Sequence, residues 1–163
     1  NLKDTVIANI NSQNQIIISG PVDQIDKSVE LLKQNNIKKI VKLNVSGAFH
    51  SPLMREANVS LNKVINSVNF KDSNFALYQN VYPNKIFDGK KIKENLKSQL
   101  CGSVNWLQII KNMKINNIDT IFEIGPKNVL SKLIKKIEPS IVVKSLDKIS
   151  DLVDAGFSIG IKK

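Results

Sequence analysis

The chain has 163 residues, of which 42% are hydrophobic and 23% are charged, an ordinary composition for a globular protein with a buried core. Its net charge is +10, but Arg55 is the sole arginine and no aromatic residues are interleaved with the lysines. Nucleic-acid-binding proteins that read sequence rely on arginine for bidentate base contacts, so we favour an acidic macromolecular partner over DNA or RNA. No apolar run approaches the length of about 20 residues that predicts a membrane span.

Counts of cysteine and histidine exclude several kinds of site. Cys101 is the only cysteine, so an internal disulfide and a cysteine-based metal site are excluded. His50 is the only histidine, which excludes a histidine-rich metal site. The chain begins without methionine, on a segment that resembles a strand and carries no signal-peptide pattern, so we expect a further part upstream.

The first part of the chain predicts a small antiparallel layer. Two alternating apolar segments flank a cluster of turn residues, and a helical spacing of apolar residues follows the Gly20-Pro21 break. The predicted elements are a hairpin of strands 4–10 and 15–19, a helix over 22–35 and a strand over 39–45.

The second part alternates strands with helices. Its predicted elements are helix 52–68, strand 75–81, a loop through Pro83 and Gly89, helices 90–100 and 104–116, strand 120–124, helix 129–137, strand 141–146 and an irregular tail. A strand, a crossover helix and a strand at this spacing predict a parallel sheet with a right-handed connection. The fold class is therefore α/β, in two parts, 1–45 and 46–163.

His50 is the first candidate catalytic residue. Imidazole is the side chain that most often exchanges protons near neutral pH. His50 lies in a loop directly after the strand predicted at 39–45 and before the helix at 52–68, and α/β enzymes place catalytic groups in loops at strand ends. On position alone, a structural or merely exposed histidine is the commoner alternative.

Four blocks of sequence resemble the malonyl-CoA:acyl-carrier-protein transacylases and polyketide acyltransferase domains. They follow the order of that family and cover the chain to about residue 147. The blocks are VSGAFHSPLM at 45–54, EIGP at 123–126 with the apolar residues of 129–137, IANINS at 7–12 with QIIISG at 15–20, and the segment 99–106.

The resemblance implies a fold and a mechanism. Residues 1–45 would be part of a ferredoxin-like small subdomain, and residues 46–163 the C-terminal part of a larger, hydrolase-like parallel α/β subdomain. In the family a serine of a GHSxG motif attacks the malonyl thioester, and the phosphopantetheine thiol of the carrier protein resolves the acyl-enzyme. His50 would be the general base, and the backbone carbonyl of Gln99 would orient its ring.

The resemblance also implies substrate-binding residues. An aromatic residue at the position of Phe49 accompanies malonyl in this family, and the ring would clash with the extra methyl group of a branched acyl unit. The alternative is that Phe49 packs in the core. Asn11 and Gln15 match polar positions that line the family's substrate cleft, although asparagine-rich turns are common in this chain.

The chain departs from the family in two places. Lys127 and Asn128 stand where the family has a glycine, so we expect a relaxed turn without positive φ. No GxSxG motif occurs, and the family's malonyl-binding arginine and oxyanion loop also have no counterpart in the sequence. We therefore expect this chain alone to be inactive.

The function predicted for the whole protein is transfer of malonyl from coenzyme A to acyl carrier protein in fatty acid biosynthesis. We expect no metal or prosthetic group, since the coenzyme A thioester is a substrate. The alternative is a non-catalytic remnant of the acyltransferase fold that binds the carrier protein or is structural. The Asn- and Lys-rich composition suggests an AT-rich genome, so we expect an apicoplast-like plastid or the bacterial cytoplasm.

Overall fold

The computed structural model describes residues 3–157, and the chain divides into two compact units, Asn1–Ile109 and Ile110–Lys163. Both helices and strands are present, which confirms a mixed α/β class. The subdomain boundary predicted after residue 45 stays a prediction. Within the described residues, every helix is too short or too polar to cross a membrane.

The first unit contains two antiparallel hairpins and the helices around them. Its elements are β1 (Val6–Ser12), β2 (Gln15–Ser19), α1 (Val22–Gln34), a 3-10 turn (Pro52–Met54), α2 (Arg55–Ser67), β3 (Leu77–Gln79), β4 (Tyr82–Ile86), α3 (Gly89–Ser98) and the start of α4 (Trp106–Ile115). The hairpin β1–β2 confirms the one predicted from the alternating segments.

The segment after α3 pairs with β1. Val104 donates its backbone N–H to the carbonyl of Ala8 at 2.7 Å, and its own carbonyl accepts from the N–H of Ile10 at 2.9 Å. The side chains of Ala8 and Val104 are both buried. This pairing holds Val104 beside the first hairpin.

Asparagine ends two of the helices. Asn36 follows α1 with φ of 61°, and Asn117 follows α4 with the same φ. In each case the next residue donates its N–H back into the last turn, Ile37 to the carbonyl of Leu32 at 3.0 Å after α1. Asparagine tolerates the left-handed conformation that such helix ends require.

The second unit contains a β-α-β arrangement. Its elements are the end of α4, β5 (Thr120–Ile124), α5 (Val129–Ile137), β6 (Val142–Leu146) and α6 (Ile149–Asp154). The two strands are parallel and in register from Thr120–Val142 to Ile124–Leu146, as predicted. Ile134, 1% exposed, is at the centre of the core that α5 buries. The predicted irregular tail contains α6 instead.

The strand predicted at residues 39–45 is wrong. The segment is irregular, and Val41 and Leu43 are 70% and 51% exposed. In the described part of the chain, no backbone hydrogen bond links residues 38–46 to another segment. A strand forms only against a partner strand, and alternation of apolar residues does not supply one. His50 therefore follows an irregular segment rather than a strand.

Two further local predictions are wrong. The loop predicted through Pro83 contains β4, which pairs with the shortened strand β3. Proline is tolerated there because β4 has a single partner strand among the described residues, so its other edge needs no N–H donor. Lys127 has φ of 73°, although we expected a relaxed turn. Residues 125–128 connect β5 to α5, and two of them, Gly125 and Lys127, have positive φ.

Candidate active site

His50 lies in a loop that is held against the C-terminal end of α3. Its backbone has φ of 60°, a left-handed conformation that is uncommon outside glycine but enriched in histidine. Its N–H donates to the carbonyl of Leu100 at 3.1 Å. The loop therefore reaches the residues that follow α3 through the main chain of the histidine itself.

The imidazole of His50 contacts two carbonyl groups. Its Nδ1 atom lies 3.1 Å from the carbonyl oxygen of Gln99 and 3.1 Å from that of Gly102. Carbonyl oxygens only accept hydrogen bonds, so Nδ1 must carry the proton and share it between them. In the neutral ring the lone pair is then on Nε2. This tautomer is the one that a general base using Nε2 requires.

The two acceptors lie at and just after the end of α3, Gln99 as its C-cap and Gly102 three residues later. The last carbonyl groups of an α-helix have no partner within the helix and carry its negative partial charge. Gln99 is the C-cap residue of α3, and Gly102 donates its N–H back to the carbonyl of Ser98 at 2.9 Å. The carbonyl oxygens of Gln99 and Gly102 both face Nδ1 of His50.

Ser51 fixes the shape of the histidine loop. Its side chain is fully buried, and its hydroxyl donates to the carbonyl of Ala48 at 2.6 Å. The same hydroxyl accepts from the N–H of Leu53 at 3.2 Å, which caps the 3-10 turn. Both hydrogen-bonding roles of this oxygen are occupied, so Ser51 is a structural residue and is unsuited to act as a nucleophile.

Phe49 is half-exposed. The residue is 43% exposed, so it is not packed in the core of this unit. A Cβ atom added at Gly47 would lie 3.7 Å from the ring and 3.6 Å from the sulfur of Met54, which shows that both side chains border Gly47. The ring therefore lies at the surface of the loop that carries His50.

The structure brings His50 and Gln99 into contact, whereas it gives no contact of Asn11 or Gln15 with either residue. Asn11 is a half-buried residue of β1, and Gln15 is exposed at the start of β2. Among the described residues neither side chain forms a hydrogen bond with His50. Their substrate-binding role stays a prediction.

Sequence reasoning missed two groups that hold the histidine, the carbonyls of Leu100 and Gly102. Every residue has a backbone carbonyl, so residue type does not reveal which carbonyl accepts a hydrogen bond. The resemblance therefore indicated only Gln99. The one signal in the sequence was the glycine at 102, a residue type that commonly marks close approach of the backbone to a neighbour.

Glu123 belongs to the second family block but forms a helix cap. Its carboxylate accepts from the backbone N–H groups of Leu130 and Ser131 at 2.9 and 2.8 Å, and from the Ser131 hydroxyl at 2.5 Å. Burial raises the pKa of Glu123, but hydrogen bonds from Ser131, Leu130 and Ser145 outweigh it and lower the pKa below 4.5. The block therefore stabilises α5, in a unit separate from the one that contains His50.

The described residues contain no grouped set of metal ligands. Within 3–157 no three His, Cys, Asp or Glu side chains are grouped so that they could hold a metal ion. The expectation that no cofactor is needed stays a prediction.

Curated relatives match most of the chain. The malonyl CoA-acyl carrier protein transacylase of Bacillus subtilis is 37% identical over 131 residues, which are 80% of this chain and 41% of the relative. That of Synechocystis sp. is 32% identical over 149 residues, 91% of this chain and 50% of the relative. The matches fall in the C-terminal half of the relatives. This chain is homologous to the C-terminal half of malonyl-CoA:acyl-carrier-protein transacylases.

Solved transacylase structures share the fold. The Synechocystis transacylase superposes with a TM-score of 0.84 at 33% identity, covering 93% of this chain and 50% of that one. The Streptococcus pneumoniae transacylase gives 0.87 at 31% identity, with 93% and 49% covered. A malonyl-transacylase in complex with a type II polyketide synthase acyl-carrier protein gives 0.86 at 25% identity, with 93% and 49% covered. No family model matches the chain. The chain spans about half the length of the transacylases it matches.

Proposed function

We propose that this chain supplies the histidine of an active site that transfers malonyl from coenzyme A to the phosphopantetheine thiol of acyl carrier protein, in fatty acid biosynthesis. The observation that carries the proposal is the double hydrogen bond from Nδ1 of His50 to the carbonyls of Gln99 and Gly102. It leaves Nε2 as a base, in a chain whose relatives are malonyl transacylases.

The proposed chemistry proceeds through a serine acyl-enzyme. Nε2 of His50 accepts the serine hydroxyl proton as the oxygen bonds to the malonyl carbonyl carbon. The tetrahedral intermediate collapses, the carbon–sulfur bond breaks, and the protonated ring returns the proton to the coenzyme A thiolate. The carrier thiol then loses its proton to Nε2, attacks the acyl-enzyme and releases the serine, which recovers the proton. The carbonyls of Gln99 and Gly102 stabilise the imidazolium formed in each half-reaction, in place of a carboxylate.

The scheme requires a serine nucleophile that the serines nearest to His50 do not provide. Ser46 and Ser51 are the closest in sequence, but Ser51 is buried with both hydrogen-bonding roles occupied. Ser46 is exposed in an irregular segment rather than in a strand–turn–helix elbow. A polypeptide corresponding to the other half of the transacylases would supply the serine, and this chain by itself would not transfer malonyl.

Other parts of the proposal rest on the family. Phe49, exposed beside the base, would select malonyl over branched acyl groups, and Asn11 and Gln15 would line the substrate cleft. The larger layer would be hydrolase-like and the smaller subdomain ferredoxin-like. The lysine-rich surface would attract the acidic carrier protein. The chemistry requires no metal or prosthetic group.

The test is a chimera that joins the N-terminal half of the Bacillus subtilis relative to this chain. We expect the chimera to move malonyl from malonyl-CoA to carrier protein, as followed by the mass of the carrier, while this chain alone gives no transfer. His50→Ala should lower the rate by about 10²–10⁴-fold, the usual contribution of general acid–base catalysis. Gln99→Ala is the matched control, because it keeps the backbone carbonyl and should keep most of the activity.

Two outcomes would contradict the proposal. A chimera that folds but transfers no malonyl would support the alternative of a non-catalytic remnant. An active chimera in which His50→Ala retains the parental rate would remove His50 from the chemistry.

A further inference from the structure

We infer that Gly102 is a positioning residue for His50, and that close packing against Val81 determines where the Gly102 carbonyl lies. This inference deepens the proposed function, since it concerns the base of the same site. Gly102 touches no reacting atom; it would act by holding the imidazole in one tautomer and one orientation.

The Nδ1 N–H of His50 has two carbonyl acceptors. The carbonyl of Gly102 is as close to Nδ1 as the carbonyl of Gln99, at 3.1 Å. A single acceptor would allow the ring to rotate about that contact, whereas two acceptors on the same N–H define the plane of the ring. The second acceptor also stabilises the Nδ1–H tautomer over the Nε2–H tautomer.

Residue 102 has little room for a side chain. A Cβ atom at this position would lie 2.5 Å from Cγ1 of Val81 and 3.0 Å from the carbonyl oxygen of Ser98. Val81 lies in the two-residue turn between β3 and β4. That turn is hydrogen-bonded to the residue before α4, because Asn105 donates its N–H to the carbonyl of Asn80 at 2.9 Å. Any larger residue at 102 must therefore displace the Val81 side chain, the 99–102 segment or the turn. Glycine lets the segment pass close enough for its carbonyl to reach His50.

Histidine NMR of the unmodified chain tests this directly, because His50 is the only histidine. With ¹⁵N-labelled histidine at alkaline pH, where imidazole is neutral, the ring should be in the Nδ1–H form. In Gly102→Ala the ratio of the Nδ1–H to the Nε2–H tautomer should fall by roughly 2- to 10-fold, the effect of losing one neutral hydrogen bond. A dominant Nε2–H form in the unmodified chain would overturn the inference.

A second substitution separates positioning from general damage. Val81→Ala removes the atom that an alanine at 102 would meet, so the Val81→Ala/Gly102→Ala double variant should recover much of the Nδ1–H signal. Gly20→Ala is the matched control: its Cβ would lie 2.8 Å from the carbonyl oxygen of Asp4, so it should lower stability without changing the tautomer of His50.

The readout does not depend on malonyl transfer, so failure of this inference and failure of the proposed function are distinguishable. If Gly102→Ala does not fold, Val81→Ile replaces it, because the larger side chain at 81 crowds Gly102. The ratio of the Nδ1–H to the Nε2–H tautomer should then fall as well. A tautomer ratio that is unchanged in every folded variant with an altered residue 102 or 81 would refute a positioning role for Gly102.

Discussion

Replacing Glu123 by alanine should destabilise the second unit. The carboxylate accepts from two backbone N–H groups at the start of α5 and from the hydroxyl of Ser131, which is itself buried. Losing a helix cap costs about 0.5–2 kcal/mol, and a donor left without a partner adds about 1 kcal/mol. Glu123 is only half-buried, and water replaces part of the loss, so we expect a decrease of about 2 kcal/mol in the free energy of unfolding.

The effect of Glu123 should depend on pH. Its pKa is lower in the folded chain than the ordinary value of 4.5, because the hydrogen bonds to the carboxylate outweigh the effect of burial. The stabilisation is therefore fully present above about pH 4.5 and is lost as the pH falls through the folded-state pKa. The difference in the free energy of unfolding between the parent chain and Glu123→Gln should decrease as the pH falls over that range, because glutamine does not titrate.

Urea unfolding at pH 7 and at about pH 3 measures both effects. For a chain of this size, about 2 kcal/mol corresponds to a decrease of roughly 4–8 °C in Tm. Glu30→Ala is the control, because it removes the same charge from an exposed residue of α1 whose side chain forms no hydrogen bond or ion pair among the described residues. A loss for Glu123→Ala no larger than that for Glu30→Ala would show that the cap does not stabilise α5.

Two further predictions concern the histidine loop. Ser51→Ala should lower the free energy of unfolding by about 1–2 kcal/mol, because it removes a buried donor and the cap of the 3-10 turn. Ser46→Ala, at an exposed position, is the control and should change that free energy little. Equal decreases for the two variants in urea unfolding would contradict the role assigned to Ser51. Phe49→Ser in the active chimera should relax discrimination against methylmalonyl-CoA while malonyl transfer stays mostly intact, as measured by competition between the two thioesters. Unchanged selectivity would show that Phe49 does not select the acyl group.

The second unit could be predicted because its information is local. Strands β5 and β6 and helix α5 have uninterrupted periodicity, and a short β-α-β connection allows essentially one arrangement. The segment 39–45 has equally good alternation and is not a strand, since pairing depends on a partner that the segment itself does not encode. The hairpin strand β4 was hidden for a related reason, because Pro83 argues against a strand unless the edge it faces is known.

At the site, several contacts of His50 are made by main-chain groups, which residue identity does not predict. The resemblance predicted the contact between His50 and the carbonyl of Gln99, and the structure has it at 3.1 Å. The left-handed backbone of His50 and the carbonyl of Gly102 were not predictable, since any residue has a carbonyl and φ is not readable from one side chain. Lys127 is a similar case: lysine argues against positive φ, yet its φ is 73°.

The conformation of His50 links the loop to the segment after α3 energetically. A left-handed conformation costs a residue other than glycine about 1–2 kcal/mol. The bond from the His50 N–H to the carbonyl of Leu100 and the shared donation from Nδ1 contribute about 1 kcal/mol each, which offsets that cost. The balance is close, so the loop holds this conformation only while residues 99–102 stay in place. A displacement at Gly102 should therefore change the backbone of His50 as well as its ring, and the backbone amide shift of His50 in Gly102→Ala should move together with the tautomer ratio.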